Sequence, residues 1–368
     1  MAHSSTVPLL ISDLGERALI ERIRTRVPDA PEWVRLGIGD DAAVLEPARG
    51  ELDVVTTDCQ VENIHFRRAW MSMHEIGRKA LAVNISDLAA MGAEPRAATL
   101  SLALPRSLTV ADFDGLIDGF LSLAREVRVP LVGGNLSESP GPIMIDVTLI
   151  GCVRPRRLLT RGGGRAGHLL YVTGTLGRAA AEVEPALRTL DAEPSHSGTL
   201  TPSTLAPGTL APGTLAPGTL TPGTLAPGTL TPRTLTPGTI TLHGPVSPLS
   251  RLRCGMQVAR NRAASACMDI SDGLADAVSQ LAAASGTGAR IHSSKVPVDP
   301  AATLEQALRG GEDYELLFAV PLRRRRGFEK IAGREVSVTC IGELTPGADV
   351  ALDRDGHSEP LGGGFTHF

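Results

Sequence analysis

The alternation of apolar and polar residues along the chain lays out a succession of helices and strands. Across residues 12–27, Leu14, Leu19, Ile20 and Ile23 fall near helical spacing, with Ser12 as a candidate N-cap. The β-branched run LDVVTTD, residues 52–58, predicts a strand that delivers Asp58 at its C-terminal end. Residues 74–91 predict a helix with Ile76, Ala80, Val83 and Leu88 inward, stopped by Gly92 and followed by the strand-like ATLSLALP. A further helix is predicted over residues 110–127; LVGGN then reads as a glycine turn and IMIDVTLIGCV as a strand. Beyond it, LLYVTG predicts a strand, and residues 176–190 and 273–284 predict helices. Such alternation indicates an α/β or α+β architecture, with one domain over residues 1–155 and a second over 156–368.

One tract breaks the pattern. From residue 198 to 241 a pentapeptide close to Thr-Leu-Ala/Thr-Pro-Gly recurs, with proline at every fifth position from Pro202 to Pro237. Proline removes the donors that a helix or inner strand requires, and each Pro-Gly pair suits a type II turn. The residues leave two readings open, a surface insertion without regular structure and a regular spiral of turns or interaction arm. Neither is expected to carry chemistry.

Composition narrows the function classes. The chain has 368 residues, a net charge of -4 and few aromatic residues, with no interleaved basic and aromatic stretch on which nucleic-acid bases would stack. Lysine is confined to Lys79, Lys295 and Lys330, so arginine or a metal is the expected phosphate partner. A GxxxxGK[ST] loop is lacking, as are HExxH and GxSxG. Gly162, Gly164 and Gly167 satisfy GxGxxG formally, but a strand follows them where a dinucleotide fold needs a helix. The run Arg323 to Arg326 reads as a solvated charge cluster. The five cysteines, Cys59, Cys152, Cys254, Cys267 and Cys340, are odd in number and without CxxC spacing, which points to a reduced, cytoplasmic setting. With no leader-like N-terminus and no uncharged run of 18 residues, the chain is expected to be soluble and unexported.

Five acid-and-glycine motifs carry the candidate chemistry: GIGDDAAVL, TTDCQVENIHF, NISDLAAMG, DISDGLAD and GGEDYELLF. Carboxylates cannot hold a phosphate directly, since two anions about 4 Å apart repel by roughly 4 kcal/mol at an effective dielectric near 20. A divalent cation between them reverses the sign, and magnesium takes one or two carboxylates together with substrate phosphates. Each motif has an ordinary alternative: Asp40 and Asp41 as a polar turn, Thr56, Thr57 and Asp58 as a strand end, Asp269 or Asp272 as a helix cap, Glu312 and Asp313 as turn residues. Asp87 differs, because it interrupts an apolar helical pattern where a charge needs a partner. His65 in VENIHF, taken alone, reads as a structural histidine.

Taken in order from about Leu36 to the C-terminus, apart from the repeat tract, these motifs together with LVGG, LLTRGGGRAG, YVTGTLG and KALAVNISDLAAMGAEP resemble the thiamine-monophosphate kinase family. That family belongs to the superfamily of aminoimidazole ribonucleotide synthetase and selenophosphate synthetase. The resemblance implies two α/β domains, with the N-terminal domains of a homodimer closing into a barrel. It implies magnesium-dependent transfer of the ATP γ-phosphoryl group to thiamine monophosphate, the last step of thiamine diphosphate biosynthesis, by alignment and charge neutralisation. Carried over by position, Asp41, Thr56, Thr57, Asp58, Asp87, Asp269 and Asp272 become metal ligands, with Asp58, Asp87 and Asp272 central to catalysis. Gly134, Asn135, Arg161 and Ser271 become ATP contacts, and His65, Glu312 and Phe365 thiamine monophosphate contacts. The chain departs from the family where GGDT is expected, reading LVGGNLSES, so Asn135 stands for a metal-binding aspartate. It also reads Pro248-Leu-Ser-Arg251 for a Pro-x-Pro-Arg segment, and carries the repeat in a variable connection. Another ATP-using enzyme of the superfamily, or a catalytically impaired nucleotide-binding or interaction protein, remain the alternatives.

Overall fold

The structure, a computed structural model, describes residues 8–183 and 248–363. The repeat over 198–241, the end of the helix predicted over 176–190, and Phe365 lie outside these residues. Where one opening helix is predicted there are two short ones, α1 (Ile11–Leu14) and α2 (Glu16–Arg24), broken at Gly15 with φ 77°. Ser12 therefore sits inside α1 rather than capping it, and Asp13 Oδ2 instead accepts from Leu10 N at 2.9 Å. A small antiparallel pair, β1 (Val34–Leu36) and β2 (Val44–Leu45), follows, with Asp40 and Asp41 in its connection.

The first large unit contains β3 (Leu52–Val61), α3 (Met73–Met91), β4 (Glu94–Leu104), α4 (Val110–Val127), β5 (Leu131–Glu138) and β6 (Met144–Val153). Its four strands lie in the order β3-β6-β4-β5, antiparallel except for β4 with β5, which α4 connects as a crossover. Two expectations are corrected here. Asp58 lies within β3 rather than at its end, because pairing with β6 continues through Gln60↔Ile145 to Val61↔Met144. The stretch LVGGN is a strand rather than a turn, since parallel pairing with β4 overrides the weak strand preference of its glycines. Gly134 has a packing reason there: a Cβ would run into the carbonyl oxygen of Leu100 on β4.

The second unit contains β7 (Leu169–Thr173), a helix α5 through residues 178–183, α6 (Pro248–Arg260), β8 (Ala266–Ile270), α7 (Leu274–Ser285), β9 (Gly288–His292), α8 (Leu304–Arg309), β10 (Glu315–Val320), α9 (Arg325–Ala332), β11 (Val338–Thr345), β12 (Val350–Arg354) and β13 (His357–Pro360). Its sheet runs β13-β12-β9-β11-β7-β10-β8, antiparallel except for β12 with β9. The molecule is thus a mixed α and β fold with two open sheets, and among the described residues no sheet closes into a barrel. No helix of the described residues is long and apolar enough to cross a membrane.

Helix α3 joins the two units. It begins with a capping box, Ser72 Oγ accepting from Glu75 N at 3.2 Å while Glu75 returns to Ser72 N at 2.8 Å, and ends at Gly92 in the left-handed conformation. Fourteen of its 19 residues are buried, as expected of a helix covered on all sides. One face meets α4 and the four-stranded sheet, and another meets α6, β8 and β10. A single apolar core runs through it, from Leu102 and Phe113 to Phe318 and Phe328. A second core, with Leu170 and Val278, fills the far side of the seven-stranded sheet.

Candidate active site

A cavity of about 490 Å³ opens where α3 faces the second unit. The segments that reach it are β3 from Asp58 to Gln60, the loop from Asn63 to Met71, one face of α3, α5, β8 at Asp269, and the paired turns at Ser271–Asp272 and Gly311–Tyr314. On α3 the wall is Lys79, Val83 and Asp87, an i, i+4, i+8 stripe. The two turns are fastened together by Glu312 N donating to Ser271 O at 2.6 Å and Tyr314 N to Ile270 O at 2.9 Å. Holding that register puts Glu312 and Tyr314 at φ 68° and 51°, an uncommon backbone state for residues other than glycine.

Four carboxylates line one part of the cavity: Asp58, Asp87, Asp269 and Asp272. Strand alternation puts Thr56 on the same face of β3 as Asp58, and the Thr56 hydroxyl donates to Asp87. Ser86 donates to Asp269 Oδ2 at 3.0 Å, joining α3 to β8. Burial pushes Asp58 up to about 6, and the neighbouring charges of Asp87, Asp146 and Asp272 add to the effect. Burial, then the charge of Asp87, pushes Asp269 up to about 7, against the Ser86 hydrogen bond and the charge of Arg161. Asp87 is raised by burial, with the Thr56 hydrogen bond and Arg161 opposing. Arg161, held by Gln280, thus supplies positive potential to the cluster.

The cavity also brings together Ser271, His65 and Glu312. Ser271 Oγ lies 3.3 Å from Asp272 Oδ2. His65 accepts from Val61 N at its Nδ1, 3.0 Å away, so a neutral ring carries its proton on Nε2. Lys79 Nζ bridges the His65 carbonyl at 2.6 Å and Glu312 Oε2 at 2.7 Å. Asp313 turns away and accepts from Gly177 N at 2.7 Å, at the start of α5.

Six described, sequence-predicted residues are not in the cavity wall: Thr56 and Arg161, which still act on its carboxylates, together with Thr57, Asp41, Gly134 and Asn135. Thr57 faces the other side of β3, 3.2 Å from both Asp146 Oδ1 and Thr148 Oγ1. Asp41 is exposed, its backbone N donating to Asp40 Oδ1 at 2.8 Å. Gly134 and Asn135 lie on β5, three strands from β3, and Asn135 donates to Ser137 Oγ at 3.1 Å. Wall residues that were not singled out from the motifs include Lys79 and Gln60. The spacing of Lys79 from Asp87, two helical turns on one face, was a legible signal. Gln60 had one too, sharing the alternation of Thr56 and Asp58.

The donor chemistry fits magnesium. Hard carboxylate oxygens stand close enough to raise one another, a repulsion that a divalent cation relieves. Among the described residues no three His, Cys, Asp or Glu side chains form a cage that could hold a metal by themselves. Magnesium bound partly through substrate phosphates needs no such cage.

The description "AIR synthase related protein, N-terminal domain" matches residues 39–153, and its C-terminal counterpart matches residues 246–355. Thiamine-monophosphate kinase of Synechococcus elongatus is 33% identical, the match covering 97% of this chain and 98% of the relative. Among solved structures, thiamine-monophosphate kinase from Stenotrophomonas maltophilia K279a has a TM-score of 0.68 at 31% identity, covering 92% of this chain and 97% of its own. The structure of AaThiL complexed with AMPPCP and TMP has a TM-score of 0.62 at 28% identity, covering 99% and 100%.

Proposed function

This chain belongs to the thiamine-monophosphate kinase family, within the AIR synthase related proteins, and on that premise we propose that it transfers the γ-phosphoryl group of ATP to thiamine monophosphate, giving thiamine diphosphate and ADP. The observation that carries this reading is the four-carboxylate cluster at one part of a cavity whose remaining wall is largely apolar. Such a cavity suits a ligand with a phosphate at one end and an aromatic ring system at the other. An ATP analogue and TMP are the named ligands of the related AaThiL structure, which supports both substrates.

In this reading a phosphate oxygen of the acceptor forms a bond to the γ-phosphorus as the bond to the β-phosphate oxygen breaks. ADP leaves with the electron pair, and no phosphoenzyme is needed. Asp58, Asp87, Asp269 and Asp272, with Thr56, would hold magnesium, which when bound supplies charge neutralisation between two polyanions. Arg161 and Ser271 stand beside the carboxylates, where triphosphate oxygens would lie. His65 and Glu312 hold the acceptor, with Lys79 fixing both through its two hydrogen bonds. The family resemblance alone assigns Asp41, Thr57, Gly134 and Asn135, outside the cavity wall, to metal and nucleotide, and Phe365, outside the described residues, to the thiamine ring.

We take residues 1–155 and 156–368 as the two domains, a division supported by strands of the first large sheet ending at Val153 and those of the second beginning at Leu169. A homodimer is supported by the uncovered face of the first sheet, where Val55 is 63% and Met144 40% exposed. Five unpaired thiols support a cytoplasmic setting. The test is purified protein with Mg-ATP and thiamine monophosphate, assayed for thiamine diphosphate. A folded protein that binds ATP yet gives no product over a broad magnesium range overturns the kinase reading and favours a binding role, for which Asn135 is the motive.

A further inference from the structure

Gln60 is 4% exposed, and both Oε1 and Nε2 of its carboxamide are buried without a hydrogen-bond partner. Such a group is rare in a folded protein, because a buried donor or acceptor that loses water needs a replacement. Among the described residues no other side chain leaves both a donor and an acceptor in this state; Asn84 leaves only Oδ1. Gln60 is also part of the cavity wall, so a turn of its side chain toward the cavity lets a bound molecule supply what the protein does not.

Its position says which part of a ligand it would meet. Gln60 follows Asp58 by two residues on the same face of β3, about 7 Å further along the strand. From there the chain leads on to His65, Phe66, Trp70 and Met71, which line the same cavity. Phe66 and Met71 are 4% and 5% exposed, so the surroundings of the carboxamide are dry and its hydrogen bonds selective. A carboxamide offers one acceptor beside one donor. Its complement is an aromatic nitrogen heterocycle bearing an amino group next to a ring nitrogen, the edge that glutamine and asparagine read bidentately on adenine.

We propose that Gln60 is a specificity-determining residue that reads the amino-pyrimidine edge of the phosphoryl acceptor. The proposal rests on the kinase reading. Adenine presents a similar edge, but Gln60 lies on the side of the cavity that holds His65, whereas Arg161 and Ser271 group with the carboxylates. The acceptor ring, not the nucleotide base, is therefore its partner.

The experiment compares wild type and Gln60→Leu, using thiamine monophosphate and its analogue with the pyrimidine amino group replaced by hydrogen. Binding is measured by calorimetry and turnover by product formation. Wild type prefers the amino compound by roughly 5- to 150-fold, the range of one bidentate pair, and Gln60→Leu brings that ratio close to one with the KM for ATP unchanged. The free variant melts no lower than wild type, since leucine removes an unpaired amide and keeps the volume. A variant that retains the wild-type ratio, or whose loss falls on the KM for ATP, overturns the proposal. Because the ratio is read by binding as well as turnover, wild type that binds the amino compound selectively but never phosphorylates it refutes the kinase reading and leaves the role of Gln60 standing.

Discussion

Removing Arg251 should unfold the second unit far more readily than removing any surface arginine. The guanidinium sits on α6 and holds Glu315 of β10 through two bonds, Nε to Oε2 at 2.8 Å and Nη2 to Oε1. Thr173 of β7 donates to the same carboxylate, and its oxygen accepts from Leu316 N at 2.8 Å. The side chains are 8% and 3% exposed, so solvent screening is slight. Arg251→Met would leave a buried carboxylate with only Thr173, a loss of about 3–5 kcal/mol by analogy with other broken buried pairs. Replacing both, as Arg251→Met with Glu315→Leu, removes the charge along with its partner and should recover much of the loss. Urea unfolding of wild type, both single variants and the double variant measures the coupling, expected to exceed about 2 kcal/mol. A single-variant loss below about 1 kcal/mol, the range of exposed pairs, or a double variant no more stable than Arg251→Met, would refute this account.

The remaining expectations concern the site. Asp87→Asn should lower kcat by more than about 100-fold, beyond the usual loss for a group one step removed from a metal, while deleting residues 198–241 leaves kcat near wild type; the reverse ranking in a product assay contradicts the assignment. Asn135→Asp should lower the magnesium concentration needed for half-maximal rate, and an unchanged magnesium curve rules that out. Burial pushes Asp313 up to about 7, against the hydrogen bonds from Gly177 and Ala179, from an ordinary value of 3.8. The folded protein then keeps a proton that the unfolded chain has released, so the associated stability is full below about pH 4 and is lost as pH rises through about 7. Asp313→Asn should flatten urea stability over that window, by up to about 1.4 kcal/mol per pH unit; an unchanged slope sinks it.

Much of the fold was legible where one local rule dominates. The helix predicted over residues 110–127 matches α4, because Thr109 caps its start and accepts from Asp112 N at 3.0 Å. Helix α3 was legible from its apolar spacing and Gly92, while its capping box starts it one residue earlier than predicted. Strand β5 was hidden because its glycines serve a close approach that only the partner strand reveals. The carboxylate motifs announced a metal and phosphate chemistry, and five of the seven proposed metal ligands, Thr56, Asp58, Asp87, Asp269 and Asp272, do converge. Thr57 does not join that group, since neighbours on a strand face opposite ways and its hydroxyl meets Asp146 and Thr148 instead. Gln60 sits in TTDCQVENIHF and shares the alternation of Asp58, but its unpaired carboxamide becomes visible only when its surroundings are folded.

The site lies on both sides of α3, and this has a consequence for the growing chain. Asp58 and Asp87 leave the ribosome long before Asp269, Asp272 and Glu312, and the N-terminal portion can fold first. Until the last strands close, the nascent protein holds only half of its acids, along with a helix whose second apolar face is bare. The carboxylate cluster is therefore complete only once the second unit has closed on α3.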